Sequence, residues 1–435
     1  MAHDHHHHQD HVESFLSSGH CIVHDILSAP EIAQLRVDLA ASLVQSASHA
    51  SPPFDPTDLP STASSLSCLS STNGAGAVLD VFYQPFQLSL LSNPKVLSTY
   101  LSLLHGTFAA KPPNPLFPMP RPYTSTSSRN VFMYCDRVGY RLPDALNINT
   151  ATATATATGS KKKRKIQRSL TPHLDCCPQT FHGEKESKWR PIQGLVALTD
   201  TLVKNEGGFE CIPGFHKEFD SWVENRGVNV NVNAVDADSG GDLNLNLNQS
   251  IDPSEAPCVG EFTPLRPGSL TANNNDQALI NRMQHIPLKA GDFLLWDNRL
   301  PHANAFRNDS PNVREVVYVS YLPDVEVNRA YASEQRERFL NNQPPNDMWV
   351  DGGGGGRRAR SGKIGEFVTT VQAADALGRR KMKMKMLLRE KVRSKLSGLV
   401  WWWNCFGLWR GGDPPHPTPR LSAALGLRVR RRTRS

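Results

Sequence analysis

The chain has 435 residues, 39% of them hydrophobic and 20% charged, enough to bury a real core in one large domain or two modest ones. The formal net charge of +7 suggests a polyanionic partner until its location is considered: the excess sits in Lys161–Lys165 and in the tail beyond Arg357. It belongs to appendages, so nucleic acid is not an expected partner of the core. Eight cysteines spread from Cys21 to Cys405 lack the paired spacing of a short secreted frame, which excludes a disulfide scaffold and fits free thiols in a reducing compartment. Cys176 and Cys177 are vicinal and poorly placed to bond each other.

The chain begins MAHDHHHHQDH, with neither the basic nor the apolar region of a secretory signal. No apolar run approaches the ~18 to 20 residues of a membrane-spanning helix. We therefore expect a soluble, cytoplasmic monomer acting on a small-molecule substrate. Residues 1–11 read as disordered, with loose nickel or zinc binding by the histidines as the alternative.

From residue 12 the pattern predicts an apolar strand around Cys21–Val23, then a helix with Ser28 as N-cap before Pro30. The Ser/Pro/Thr-rich stretch Ser46–Thr72 reads as loop. A second helix is predicted near Ser92, taken as its cap, with Pro94 in the first turn and Val96, Leu97, Tyr100, Leu101 and Leu104 at helical spacing. Beyond Arg129 the pattern changes to short β-rich runs: NVFMY, PIQGLVALTD, GGFECIPG, FLLWD and REVVYVSYL. Strands of this kind separated by turns predict a mainly β protein with flanking helices, built on a sandwich or barrel.

Two insertions, at about 146–168 and 228–275, read as disordered. The low-complexity tract ATATATATGSKKKRK lies in the first of these, and its Lys161–Lys165 cluster offers a nuclear-import patch as an alternative localisation. Residues 12–345 would then be the catalytic domain. Residues 346–435 read as a basic low-complexity tail, with peripheral membrane or partner contact as the alternative.

The segment SLTPHLDCCPQ places His173 and Asp175 two residues apart, so on a strand both side chains project from one face. Such a pair alone is weak. LKAGDFLLWDNRLPHANAF offers a third ligand in His302, and two histidines with one carboxylate leave half of a metal's coordination sphere open, the arrangement of non-haem iron(II) oxygenases. Zinc with a hydrolytic water is the chemical rival. Arg314 lies 314 − 302 = 12 residues after His302 at the head of an apolar strand, where a guanidinium is costly to bury without an anion. Its fork suits the distal carboxylate of 2-oxoglutarate. Arg307, in a polar turn, is expected to be solvated.

At this point the chain resembles the phytanoyl-CoA dioxygenase-like family of iron(II)- and 2-oxoglutarate-dependent oxygenases. The segments FLSSGHCIVHDILSAPEIAQLR, TPHLD, PIQGLVALTDTLVKNEGGFECIPGFHKEF and GDFLLWDNRLPHANAFRN carry the resemblance in order. It implies a double-stranded β-helix, the jelly-roll or cupin-like fold, with His173, Asp175 and His302 as iron ligands. It implies further that Arg314 holds the 2-oxoglutarate carboxylate, with Asn304 at the position that touches the co-substrate. The implied reaction consumes dioxygen, hydroxylates a small organic or lipid-like substrate and yields succinate and carbon dioxide; with Asp175 present, halogenation is disfavoured.

Other residues have plainer readings. His216 is expected to be structural, His182 and His285 ordinary surface or strand residues, and Trp296 core. Gly207, Gly208 and Gly214 are assigned to tight turns. Tyr134, Arg137 and Arg141 read as a solvated loop, with recognition of an acidic substrate group as the alternative. Two other functions stay open: a catalytically degenerate oxygenase fold that binds or regulates through its basic tail, and a nucleic-acid oxygenase guided by KKKRK.

Overall fold

The computed structural model describes residues 2–70, 76–118, 130–147, 165–176, 178, 188–225, 263–265, 276–341 and 343–345. The tail from 346, Lys161–Arg164, Cys177, His182 and most of 228–275 lie outside the described residues.

The chain is mostly β, with antiparallel sheets flanked by helices. In order, the helices are α1 (Ala2–Ser18), α2 (Ala29–Ser46), α3 (Leu59–Thr62), α4 (Pro85–Leu91), α5 (Pro94–Gly106), α6 (Phe219–Asn225), α7 (Asp276–Ile280) and α8 (Glu326–Leu340). The strands begin with β1 (His20–Val23), β2 (Val78–Leu79), β3 (Val131–Tyr134), β4 (Val138–Arg141), β5 (His173–Leu174), β6 (Ile192–Ala197) and β7 (Phe209–Cys211). They continue with β8 (Thr263–Pro264), β9 (Gln284–His285), β10 (Phe293–Asp297), β11 (His302–Asn304), β12 (Arg314–Tyr318) and β13 (Ser320–Pro323). A six-stranded sheet runs β1-β10-β6-β12-β4-β2, a five-stranded sheet β8-β5-β11-β7-β9, and β13 pairs with β3.

Strand β10, FLLWD, shows how the layers form. Every residue of it is buried, which is why it reads as an unbroken apolar run instead of alternating. Phe293 and Leu295 face the helices, joining Leu39, Leu43, Tyr100 and Leu104 in one core cluster. Leu294 and Trp296 face the other way, against Leu174, Phe209 and Cys211 of the five-stranded sheet. The two sheets therefore enclose a second core, and side chains at alternate positions of β10, β6 and β12 reach it.

The helices follow their local chemistry. At the head of α2 the Ser28 N–H and Oγ both donate to the Glu31 carboxylate at 2.7 Å, with Pro30 in the first turn. Helix α5 buries Val96, Thr99, Tyr100, Leu103 and Leu104; of the predicted stripe, Val96, Tyr100 and Leu104 are buried and Leu97 and Leu101 are partly buried against the same core. The Tyr100 hydroxyl donates to the Tyr321 carbonyl at 2.7 Å, and the Tyr321 hydroxyl to the Leu91 carbonyl at 2.6 Å, tying helix to strand. No helix among the described residues is long and apolar enough to cross a membrane.

Four expectations meet a different local arrangement. The His-rich start, read as disordered, falls in α1; the helix is anchored at Phe15, which is fully buried, and once nucleated it propagates at little cost per residue. Ser46–Thr72 contains α3 and a 3₁₀ turn over Ala63–Leu69 whose apolar residues pack on the core. The cap of α5 is Asn93, whose side chain accepts from the Lys95 N–H at 2.9 Å; Ser92 instead ends α4, donating to the Leu88 carbonyl. Both insertions are narrower than their composition suggests. Asn147 and Gln167 are buried and exchange two hydrogen bonds at 2.6 Å, and residues 263–265 are ordered by pairing of β8 with β5.

Candidate metal centre

Strand β11 pairs with β5 so that His302 lies directly opposite His173. Each imidazole Nδ1 lies against a carbonyl two residues upstream: Thr171 at 2.8 Å for His173 and Leu300 at 3.0 Å for His302. A carbonyl can only accept, so Nδ1 carries the proton and Nε2 is left as the donor atom. Asp175 completes the group, with Oδ1 3.3 Å from His173 Nε2 and Oδ2 3.5 Å from His302 Nε2. One ligand atom from each of the three residues falls within 4.8 Å of the others, the single such cluster among the described residues. Sequence spacing had put Asp175 on the strand with His173; β5 in fact ends at Leu174, and the carboxylate enters from a bend.

The electrostatics suit a cation. Burial would raise the Asp175 carboxyl, but the charge and hydrogen bonding of the two imidazoles in their protonated form reverse this and hold it well below the usual carboxylate range. Burial and the neighbouring His173 lower His302. A cation in place of the Nε2 protons would meet the same carboxylate and both imidazole nitrogens. Phe209 stacks on the His302 ring at 5.8 Å and Trp296 lies 5.3 Å away, walling off one side. Trp296 is core, as expected.

Arg314 and Asn304 come together on the same inner surface. Asn304 follows His302 by two residues on β11, and its Oδ1 accepts from Arg314 Nη1 at 2.9 Å. Its amide donates to the Gly76 carbonyl at 2.7 Å and to the Tyr318 hydroxyl at 3.2 Å. Arg314 is 2% exposed, and burial lowers its pKa, opposed by Tyr318. Its Nη2 is buried without a hydrogen-bond partner. A buried guanidinium arm left unmatched is unfavourable unless an anion meets it.

The upstream arginines are not solvated, correcting the loop reading. Arg141 is 1% exposed and donates to the carbonyls of Arg168 and Phe306 at 3.1 and 2.9 Å. Arg137 donates to Asp80 Oδ1 at 2.7 Å, and Tyr134 is buried. They sit on or beside β3 and β4, where β4 pairs with β12 and sets Arg141 opposite Arg314; the turn-like sequence concealed that pairing. Arg307 is solvated and paired with Asp309, as expected. His216 is buried, its Nε2 against the Leu16 carbonyl, and it is outside the cluster of His173, Asp175 and His302. Gly207 and Gly214 have φ of +73° and +82°, whereas no such angle applies to Gly208, which is kept small by His285 and Thr201 nearby.

Sequence reasoning missed three residues that hold Asp175. Arg190 Nη2 lies 3.7 Å from Oδ2. Asn298 donates to the Asp175 carbonyl at 3.2 Å and itself accepts from Gln193. The only signal available was their polarity within apolar segments.

Comparison with known proteins corrects the family resemblance. No curated sequence matches the chain, and the family model that does match is Gig2-like, over residues 183–384, not the phytanoyl-CoA dioxygenase-like one. The quoted motifs are turns, a Gly-Gly step and ligands that a β-framework imposes on any chain carrying such a site, so they do not separate one family from another. Among solved structures the chain is similar to GlcNAc Inducible Gene 2 (GIG2) of Candida albicans, with 15% identity, 77% of this chain and 67% of that one covered, and a TM-score of 0.47. It is also similar to the hypothetical protein JW0805 of Escherichia coli, with 12% identity, 81% of each chain covered and a TM-score of 0.47. A third similarity is to EctD of S. alaskensis with 2-oxoglutarate and 5-hydroxyectoine, at 15% identity, 72% and 74% coverage and a TM-score of 0.36. None of these likenesses assigns an activity.

Proposed function

We propose that the protein is an iron(II)- and 2-oxoglutarate-dependent oxygenase that hydroxylates a small organic or lipid-like substrate. The observation that carries this reading is the buried Arg314 arm left unmatched on the surface that also presents His173, Asp175 and His302. A hydrolytic zinc site would share the triad; the buried guanidinium beside it is what favours a dicarboxylate co-substrate. The two antiparallel sheets, facing one another across the inner core, are read as the walls of a double-stranded β-helix with the metal between them.

The donor set fits iron(II): two imidazole nitrogens and one carboxylate, with the remaining positions open to co-substrates. When bound, the iron would supply the dioxygen chemistry coupled to decarboxylation of the keto acid, giving succinate and carbon dioxide. The chain's residues do the rest. Thr171 and Leu300 fix the imidazole tautomers through their carbonyls. Asn304 links the metal ligands to the anion arm: it lies two residues along β11 from His302, a step of roughly 7 Å on a strand, which matches the length of a five-carbon keto dicarboxylate. Arg314 would take the distal carboxylate, with Asn304 and Tyr318 holding the guanidinium in place. Phe209 and Trp296 keep water from the His302 side.

The test is anaerobic titration of the protein with iron(II) and then 2-oxoglutarate. A weak visible charge-transfer band, appearing only with both present and lost in His302→Ala, is expected. Metal binding without any band, together with no measurable affinity for 2-oxoglutarate, would sink the reading.

A further inference from the structure

Asp175 has no strand to fix it, because β5 stops one residue earlier. It is fixed instead by the six-stranded sheet. The Asn298–Gln193 pair holds its backbone carbonyl. Arg190, two residues before β6, holds its side chain. The other arm of the Arg190 fork donates from Nη1 to Asp136 Oδ2 at 3.2 Å, and the guanidinium lies 4.5 Å over the Tyr134 ring. Arg190 is 7% exposed. Its position is therefore set on three sides, by two carboxylates and an aromatic face.

The two carboxylate oxygens of Asp175 are consequently unlike. Oδ1 is 3.3 Å from His173 Nε2, while Oδ2 is divided between His302 Nε2 at 3.5 Å and the Arg190 cation. A carboxylate beside a metal binds through one oxygen or through both, and the second mode would take up a position that a chelating keto acid needs.

We infer that Arg190 is a positioning residue that keeps Asp175 a one-oxygen ligand, drawing Oδ2 away so that a position stays open for the keto acid. This rests on the iron and 2-oxoglutarate reading above. Arg is suited to the task because it cannot lose its proton and its flat fork spans Asp175 and Asp136 at once.

The test uses the whole chain under anaerobic conditions, as wild type, Arg190→Gln, Arg190→Met, Arg190→Lys and Arg314→Gln. Cobalt(II) is titrated first, with its d–d absorption reporting ligand number, and 2-oxoglutarate second. Arg190→Gln and Arg190→Met are expected to bind cobalt at least as tightly as wild type, with a shifted spectrum. Their affinity for 2-oxoglutarate should fall about tenfold or more, the range usual for groups behind a metal ligand. Either variant serves if the other does not fold, and Arg190→Lys, which keeps the charge, should recover part of the affinity. Arg314→Gln should weaken 2-oxoglutarate while leaving the cobalt-only spectrum as in wild type. Folded Arg190 variants with wild-type spectrum and wild-type 2-oxoglutarate affinity, even with a lower thermal midpoint, would overturn the inference alone. A wild type that binds no cobalt, or binds it but no 2-oxoglutarate, would overturn the underlying reading together with it.

Discussion

His302 and His173 face each other across the β11–β5 pair, their ring centroids 4.6 Å apart. Two imidazoles gain little from such closeness on their own; a cation shared between their Nε2 atoms and Asp175 would account for it, as the proposed function requires. Substituting any one of the three by Ala is expected to abolish tight manganese(II) binding, measured calorimetrically without air. Retention of wild-type affinity in His173→Ala or His302→Ala would contradict the assignment of the ligands.

Arg314 offers a charged hydrogen-bonding arm to an anion, an interaction of about 1.5–3 kcal/mol. Arg314→Met should therefore weaken 2-oxoglutarate binding by roughly ten- to a hundredfold with little change in metal affinity. A titration of the metal-loaded variant measures both. Equal loss of metal and co-substrate would mean that Arg314 supports the fold and not the anion.

Gly139 lies beneath that arm. A methyl group added there would meet Val316 Cγ2 at 2.6 Å and Arg314 Nη1 at 3.3 Å, and Val316 is buried with no room to retreat. Gly139→Ala is expected to lower stability by about 1–3 kcal/mol, as overpacking does, and also to raise the 2-oxoglutarate concentration needed for half-maximal turnover. Thermal melting and steady-state kinetics separate the two effects.

Asn147 and Gln167 close the neck of the first insertion. Gln167 Oε1 accepts from the Leu142 N–H at 2.8 Å and its Nε2 donates to the Tyr140 carbonyl at 2.7 Å, so it bonds the edge of β4 as a strand would. Replacing residues 148–164 by a short Gly-Ser linker should leave the melting temperature nearly unchanged, since loop length affects closure only weakly. Gln167→Ala should cost about 1–3 kcal/mol for each buried group it orphans. A large loss on excision, or none on substitution, would show that the neck is not what holds these ends.

The parts of the structure that were legible in sequence are those where one residue type has one physical use. Pro30 and Pro94 mark first turns, FLLWD and PIQGLVALTD read as short β-rich runs and hold β10 and β6, and the H-x-D and distant His share the polarity of ligands. What stayed hidden depends on partners remote in the chain. Arg137 and Arg141 look like loop cations until β4 finds β12 and Asp80; Ser46–Thr72 looks like loop because its packing is against helices. Arg190 and Asn298 carry no motif at all, since their use is defined by Asp175, and Asp175 itself leaves its strand earlier than its spacing suggested. The family resemblance failed for a related reason: the motifs it rested on describe a framework, and a framework does not name its owner.

Strand β1 ends the six-stranded sheet by pairing with β10, His20 opposite Trp296, a separation of 296 − 20 = 276 residues. On a ribosome, β1 must therefore wait until β10 has been made before it has a neighbouring strand, and its apolar side stays uncovered in the meantime. Closure over such a distance is slow, and exposed edges in the interval invite association between nascent chains. For this protein the vulnerable moment is its birth, when β1 has been made and the strand that shelters it has not.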